Sequence, residues 1–172
     1  MRGAALLALL LLGSAPTPPT RTLYFARPYD PFRWCGYATK AAQAAALESS
    51  HGGEAVRATY VAGRISRLTY ETDPESGDWV VVDTYRVSGG RLWLERAIGI
   101  SAGGIQIVER GSAPIGRRIK LSLVSAKRSD GTRPSPGGWY DPQVAVARDL
   151  ETLPFAALGR TMLRRGVPTL CK

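Results

Sequence analysis

Histidine, cysteine and methionine are almost missing from this chain, with one, two and two among 172 residues. A zinc site of ordinary ligand count would have to recruit several carboxylates beside His51, Cys35 and Cys171, and no acidic cluster offers ligand spacing. Glu71, Asp73, Glu75 and Asp78 crowd one turn without an EF-hand pattern, and they read as solvated turn residues. Missing too is a glycine-rich phosphate cradle ahead of a helix, because Gly89-Gly90 and Gly103-Gly104 precede strand-like segments. No Gly-x-Ser-x-Gly turn nominates a serine nucleophile, and no repeat of solenoid or propeller length appears. These absences imply no cofactor and point away from catalysis.

Long apolar runs are equally scarce. Met1-Arg2-Gly3 leads into nine apolar residues, Ala4 to Leu12, and then Gly13-Ser14-Ala15. A basic start, an apolar stretch and small residues are the three zones of a secretory signal, and the stretch is far short of the roughly 20 residues that a spanning helix needs. Residues 1–15 are therefore expected to be an export signal, residues 16–22 a Pro/Thr-rich spacer, and residues 23–172 one domain with no transmembrane anchor. The expected location is secreted or periplasmic. In such a compartment Cys35 and Cys171 would pair, closing nearly the whole mature chain with a bridge worth roughly 4 to 5 kcal/mol on the loop-entropy account.

Lysine is rare, arginine is not: 19 of the 23 basic residues are Arg, and the net charge is +9. Residues 113–172 carry 11 basic against 4 acidic groups, a net +7. Arg117, Arg118 and Lys120 form one cluster in this third, and Lys127, Arg128 and Arg133 a second. A third is Arg160, Arg164 and Arg165. Residues 127–142 form a long loop ending in Trp139 and Tyr140, an aromatic handle suited to sugar stacking or partner contact. The first two clusters and this handle are the candidate binding residues, for an anionic polysaccharide, a lipid surface or an acidic protein. Nucleic acid is not an expected partner of an exported chain.

The texture of the sequence is α+β. Tyr37 to Ser49 is Ala-rich and predicts a helix, stopped by His51-Gly52-Gly53, with Tyr37, Ala41, Ala44, Ala45 and Leu47 as its apolar positions. Strands are predicted at 23–25, 56–62, 64–71, 79–87, 91–100, 105–110 and 119–125, separated by turn residues in the manner of an antiparallel meander. Leu92, Leu94, Ile98 and Ile100 alternate with Trp93, Glu95 and Ala97, so this strand has one wetter face. Arg96 interrupts the apolar row, placing it at a rim or a bend. A final helix is expected over 153–165, capped by Thr152, stopped by Gly166, and buried through Phe155, Leu158, Met162 and Leu163. The architecture is then an N-terminal helix on a sheet of five or six strands, with the C-terminal helix tied beside it by the disulfide; a curved sheet or partly closed barrel is the alternative. Trp34 is read as core packing around the sulfur.

Three functions fit. The leading one is non-catalytic binding of an anionic envelope component or a protein, using the basic C-terminal third and the 127–142 loop. A carboxylate-dependent hydrolase would require Asp83 and Glu95 to share a concave site. Finally, Thr59-Tyr60-Val61-Ala62-Gly63 resembles the Gln-x-Val-x-Gly hairpin loop of cystatins, with Thr59 in place of the glutamine and without the later cysteines of secreted cystatins. That five-residue resemblance implies protease inhibition through an exposed wedge.

Overall fold

The computed structural model describes residues 19–73, 77–134 and 145–172. The expected export segment, Glu75, Trp139 and Tyr140 lie outside the described residues. The strands are β1 Thr20–Pro28, β2 Cys35–Tyr37, β3 Gly53–Val61, β4 Arg64–Thr72, β5 Trp79–Ser88, β6 Arg91–Ile100, β7 Ile105–Pro114, β8 Ser122–Lys127 and β9 Thr169–Cys171. Helix α1 spans Lys40–Glu48 and α2 spans Pro154–Arg165, the latter preceded by a 3-10 turn over Leu150–Thr152. None of the described helices is long and apolar enough to cross a membrane.

All nine strands belong to one open antiparallel sheet, in the order β8-β7-β6-β5-β4-β3-β1-β2-β9. The meander β3 to β8 follows from local signals. Short turns such as Ala62-Gly63 and Gly89-Gly90, with positive φ at both positions, reverse the chain with the twist that strand pairs prefer. The count exceeds the expected five or six for two reasons. The first strand begins at Thr20, inside the segment expected as spacer, because its nine residues pair along the whole of β3. Strands β2 and β9 are three residues each and exist as a pair, Cys35 opposite Cys171. The disulfide joins those two cysteines, and no free cysteine remains.

Alternation sorts the side chains onto two faces. On the inner face, Leu23 and Phe25 of β1, Val56, Ala58 and Tyr60 of β3, Leu68 of β4, Tyr85 of β5 and Leu92 and Leu94 of β6 meet Phe155, Ala156, Leu158 and Met162 of α2 in the main core. Glycine makes the contact close. A Cβ on Gly159 would collide with the Tyr60 hydroxyl, and one on Gly36 with Met162 Sδ, so α2 lies directly on β1, β2 and β3. A second inner cluster, Val81, Ile98, Ile100, Ile105 and Ile107, fills the far end of β5 to β7.

Helix α1 covers the opposite, outer face. It packs Ala42, Ala46 and Leu47 on Tyr24, Ala26, Cys35 and Tyr37. Gln43 is buried in that contact, its Nε2 donating to the carbonyls of Phe25 at 2.6 Å and Val56 at 3.0 Å. The two helices therefore share β2 but sit on opposite sides of it, rather than side by side. Ala41, Ala44 and Ala45 face solvent, and Tyr37 belongs to β2. The buried stripe was misassigned because alanine carries almost no periodic signal, and the polar Gln43 occupies its centre.

Three further expectations change. Trp34 packs on Phe155, centroids 5.0 Å apart, and on Tyr70 at 6.1 Å, and so belongs to the α2 side rather than to the disulfide. Thr152 does not cap α2; its hydroxyl donates to the Asp149 carbonyl at 2.8 Å within the 3-10 turn, and Leu153 holds the cap position. Residues 119–121 are not strand. They cross above Gly111, where a Cβ would strike the Lys120 carbonyl and come within 2.8 Å of Ile119 Cγ2, and β8 starts only at Ser122.

Candidate functional site

Arg96, which breaks the apolar row of β6, sits at neither a rim nor a bend. It is 5 % exposed and stands opposite Asp83, which is 1 % exposed. Two bonds of 2.8 Å, Nε to Oδ1 and Nη2 to Oδ2, form a bidentate pair. Tyr85 donates to Asp83 Oδ2 at 3.2 Å and accepts from the Ala147 amide at 3.1 Å. Glu109 lies opposite Arg96 on β7, and Tyr70 opposite Asp83 on β4. Tyr70 donates to Glu54 at 2.8 Å, and Glu54 pairs with Arg27.

A polar belt thus crosses the inner face from β1 to β7, dividing the two apolar clusters. Burial would lower the Arg96 pKa, but the bonds and charge of Asp83 outweigh it and hold the pKa above its ordinary value. Burial first, then neighbouring carboxylates, pushes the Tyr70 and Tyr85 hydroxyls far up, so both stay neutral. Deep burial and paired charges mark the Asp83–Arg96 core of this belt as fixing strand register.

The outer face differs. Beyond α1 no described helix covers it. Thr84 and Arg86 of β5, Trp93 and Glu95 of β6, Arg110 and Ser112 of β7 and Arg67 of β4 line an open trough of about 510 Å³. Cross-strand register brings them together: Arg67 opposite Arg86, Arg86 opposite Trp93, Trp93 opposite Ser112 and Glu95 opposite Arg110. Arg86 lies 5.9 Å from the centre of the Trp93 ring, which remains 42 % exposed. Glu95 compensates Arg110 at 2.6 Å, both well exposed. Among the described residues no carboxylate pairs with Arg67 or Arg86, and two like charges directly opposed across a strand pair repel.

A second depression of about 270 Å³ lies on the same face, between α1 and the sheet. Tyr24, Lys40, Arg57, Thr69 and Glu71 line it.

The residues nominated from the sequence are dispersed. Arg117, Arg118 and Lys120 are exposed in the connection after β7. Lys127 closes β8, and Arg128 and Arg133 follow it, all three exposed. Lys127 stands opposite Gln106, near the start of β7, while Arg117 follows its end, roughly 30 Å away, and Lys120 passes over Gly111, five residues or roughly 17 Å from Gln106. Asp83 and Glu95 do not share a site: Asp83 is buried on the inner face, and Glu95 is exposed on the outer one. In the 59–63 segment Tyr60 is buried, and the exposed tip is Ala62-Gly63. His51 is exposed in the turn after α1.

Arg67, Arg86, Arg110 and Trp93 went unnoticed in the sequence. Their signal is that four neighbouring strands, β4 to β7, each carry an arginine or tryptophan on the outward-facing side. The group becomes visible only once register aligns them. Comparison with family models, with curated proteins and with solved structures finds no match.

Proposed function

We propose that this protein is an exported, non-catalytic domain whose outer sheet face binds an anionic component of the cell envelope. The observation that carries the reading is the uncompensated pair Arg67 and Arg86 beside the exposed Trp93 ring. A folded chain tolerates such opposed guanidinium groups at a cost, and an anion bridging them removes the repulsion while gaining charge-assisted bonds. Trp93 supplies a flat apolar surface next to that anion. Arg86 already lies over that ring, 5.9 Å from its centre, a cation–π contact that favours this placement of the guanidinium without a carboxylate.

The test is binding of the purified protein to polygalacturonate, dextran sulfate and phosphatidylglycerol vesicles, at about 20 mM and about 500 mM salt. Exposed charges act over roughly 10 Å at 0.1 M and far less at high salt, so binding should fall steeply as salt rises. R67Q/R86Q should weaken binding roughly tenfold or more, two lost charge contacts being worth upward of 1.4 kcal/mol together. Failure to bind all three probes, or binding indifferent to R67Q/R86Q, overturns the reading.

A further inference from the structure

We infer that the occupant of the outer face is an extended acidic polysaccharide that occupies both depressions at once, an inference that rests on the anion-binding reading above. The first ground is continuity. Register aligns Tyr24, Arg57, Thr69, Thr84, Glu95 and Arg110 in one row across β1, β3, β4, β5, β6 and β7. The row begins in the smaller depression and ends in the larger, with Thr69 opposite Thr84 where they meet. From β1 to β6 is four strand spacings, roughly 19 Å. Arg57 and Arg67 are diagonal neighbours on adjacent strands, but Arg110 stands four strand spacings from Arg57, roughly 19 Å, beyond the reach of a single small anion; a chain with an acid group on successive units can span it.

The second ground is the chemistry of the floor. Each depression combines an excess of basic groups over one carboxylate with one aromatic ring: Lys40 and Arg57 against Glu71 with half-buried Tyr24, and Arg67, Arg86 and Arg110 against Glu95 with Trp93. Hydroxyls of Thr69, Thr84 and Ser112 lie between and beside them. Rings to stack on, hydroxyls to exchange bonds with and arginines for carboxylates match a polymer of sugar acids. A lipid surface fits this face poorly. Among the described residues the other large exposed apolar side chains, Phe32, Ile115, Leu123 and Val124, do not line either depression, which leaves Trp93 as the sole one of them to insert.

The experiment measures the affinity of the intact protein for galacturonate oligomers of one, two, four, six and eight units, at about 20 mM salt, with long polygalacturonate as the limit. Affinity should rise at least tenfold once the oligomer spans both depressions, because the second contact becomes intramolecular. R57Q should remove that gain, so that the octamer binds no more than about twofold more tightly than the shortest binding oligomer, whereas R86Q should weaken every length. W93A separates stacking from charge, and should weaken the oligomers severalfold more than it weakens the binding of inorganic polyphosphate, which has no ring to stack. Affinity independent of length, or R57Q without effect on the octamer, overturns the two-site polysaccharide while leaving the anion-binding trough standing. Stronger binding of phosphatidylglycerol vesicles than of long polygalacturonate also overturns it, in favour of a membrane. No binding of any acidic probe removes both inferences. Far-UV circular dichroism of each variant confirms that the comparison is between folded proteins.

Discussion

Replacing Arg96 by methionine tests the inner belt most directly. The substitution keeps length and most of the volume while removing both 2.8 Å bonds to Asp83. What remains is a carboxylate 1 % exposed, with the Tyr85 hydroxyl as its bonded neighbour and Glu109 two strands away on the same row. Deleting one partner of a buried ion pair costs about 3–5 kcal/mol, mostly because the other charge is stranded without water. A domain of this size has a total stability of about 5–15 kcal/mol, so roughly a fifth or more would vanish. With a urea m-value of about 2 kcal/mol/M, the midpoint should fall by roughly 1.5–2.5 M at unchanged slope. Urea titration followed by far-UV circular dichroism measures it. The double variant D83L/R96M removes the stranded charge and should recover most of the loss, since a well-packed apolar replacement of a buried pair is often neutral. A loss below about 1 kcal/mol in R96M, or a double variant no more stable than the single, would refute the account of Asp83 and Arg96 as mutually dependent.

Other outcomes follow from the same packing. C35S/C171S opens a loop of 136 residues and should cost roughly 2–5 kcal/mol, seen as a lower urea midpoint for this variant than for the oxidised wild type. Gly159→Ala should destabilise by roughly 1–3 kcal/mol although alanine is the better helix former, because its Cβ falls against Tyr60 with Cζ only 2.6 Å away; a more stable variant would show that α2 is free to lift. Tyr60, Tyr70 and Tyr85 are all held neutral far above the ordinary tyrosine range, chiefly by burial. The unfolded chain therefore releases these protons first as pH rises. The contribution is whole below about pH 10 and lost progressively above it. Thermal unfolding between pH 8 and 11.5 should show that decline, with three tyrosines absent from the tyrosinate absorbance until the fold is lost.

How far the sequence discloses this fold depends on how many neighbours speak for each residue. Arg91 to Ile100 is legible to the residue, because its apolar row is broken only by Arg96 and glycine pairs stand beyond both ends. The three-residue strands β2 and β9 are not, since Cys-Gly-Tyr and Thr-Leu-Cys carry no period and pair only because the bridge places them together. Ile119, Lys120 and Leu121 alternate like a strand, yet they pass over Gly111, a crossing that only the far side of the contact reveals. The site obeys the same logic. Basic residues adjacent in sequence, such as Arg117 and Arg118, are conspicuous and end up dispersed. Arg67, Arg86 and Arg110 stand apart in the chain and converge through register, which depends on every intervening turn length.

Tension is the quantity on which the bridge between β2 and β9 acts most directly. Suppose the chain is drawn from Thr20 at one end and Lys172 at the other. The covalent path between those points runs through Cys35 and Cys171 and bypasses every residue between them. Only the 15 residues before Cys35 and the single one after Cys171 can lengthen, about 55 Å at 3.5 Å each, against more than 500 Å for the unbridged chain. The strands bearing the outer trough, β4 to β7, all lie inside that bypass. A load applied between the two ends would peel β1, while the bridge keeps it off β4 to β7.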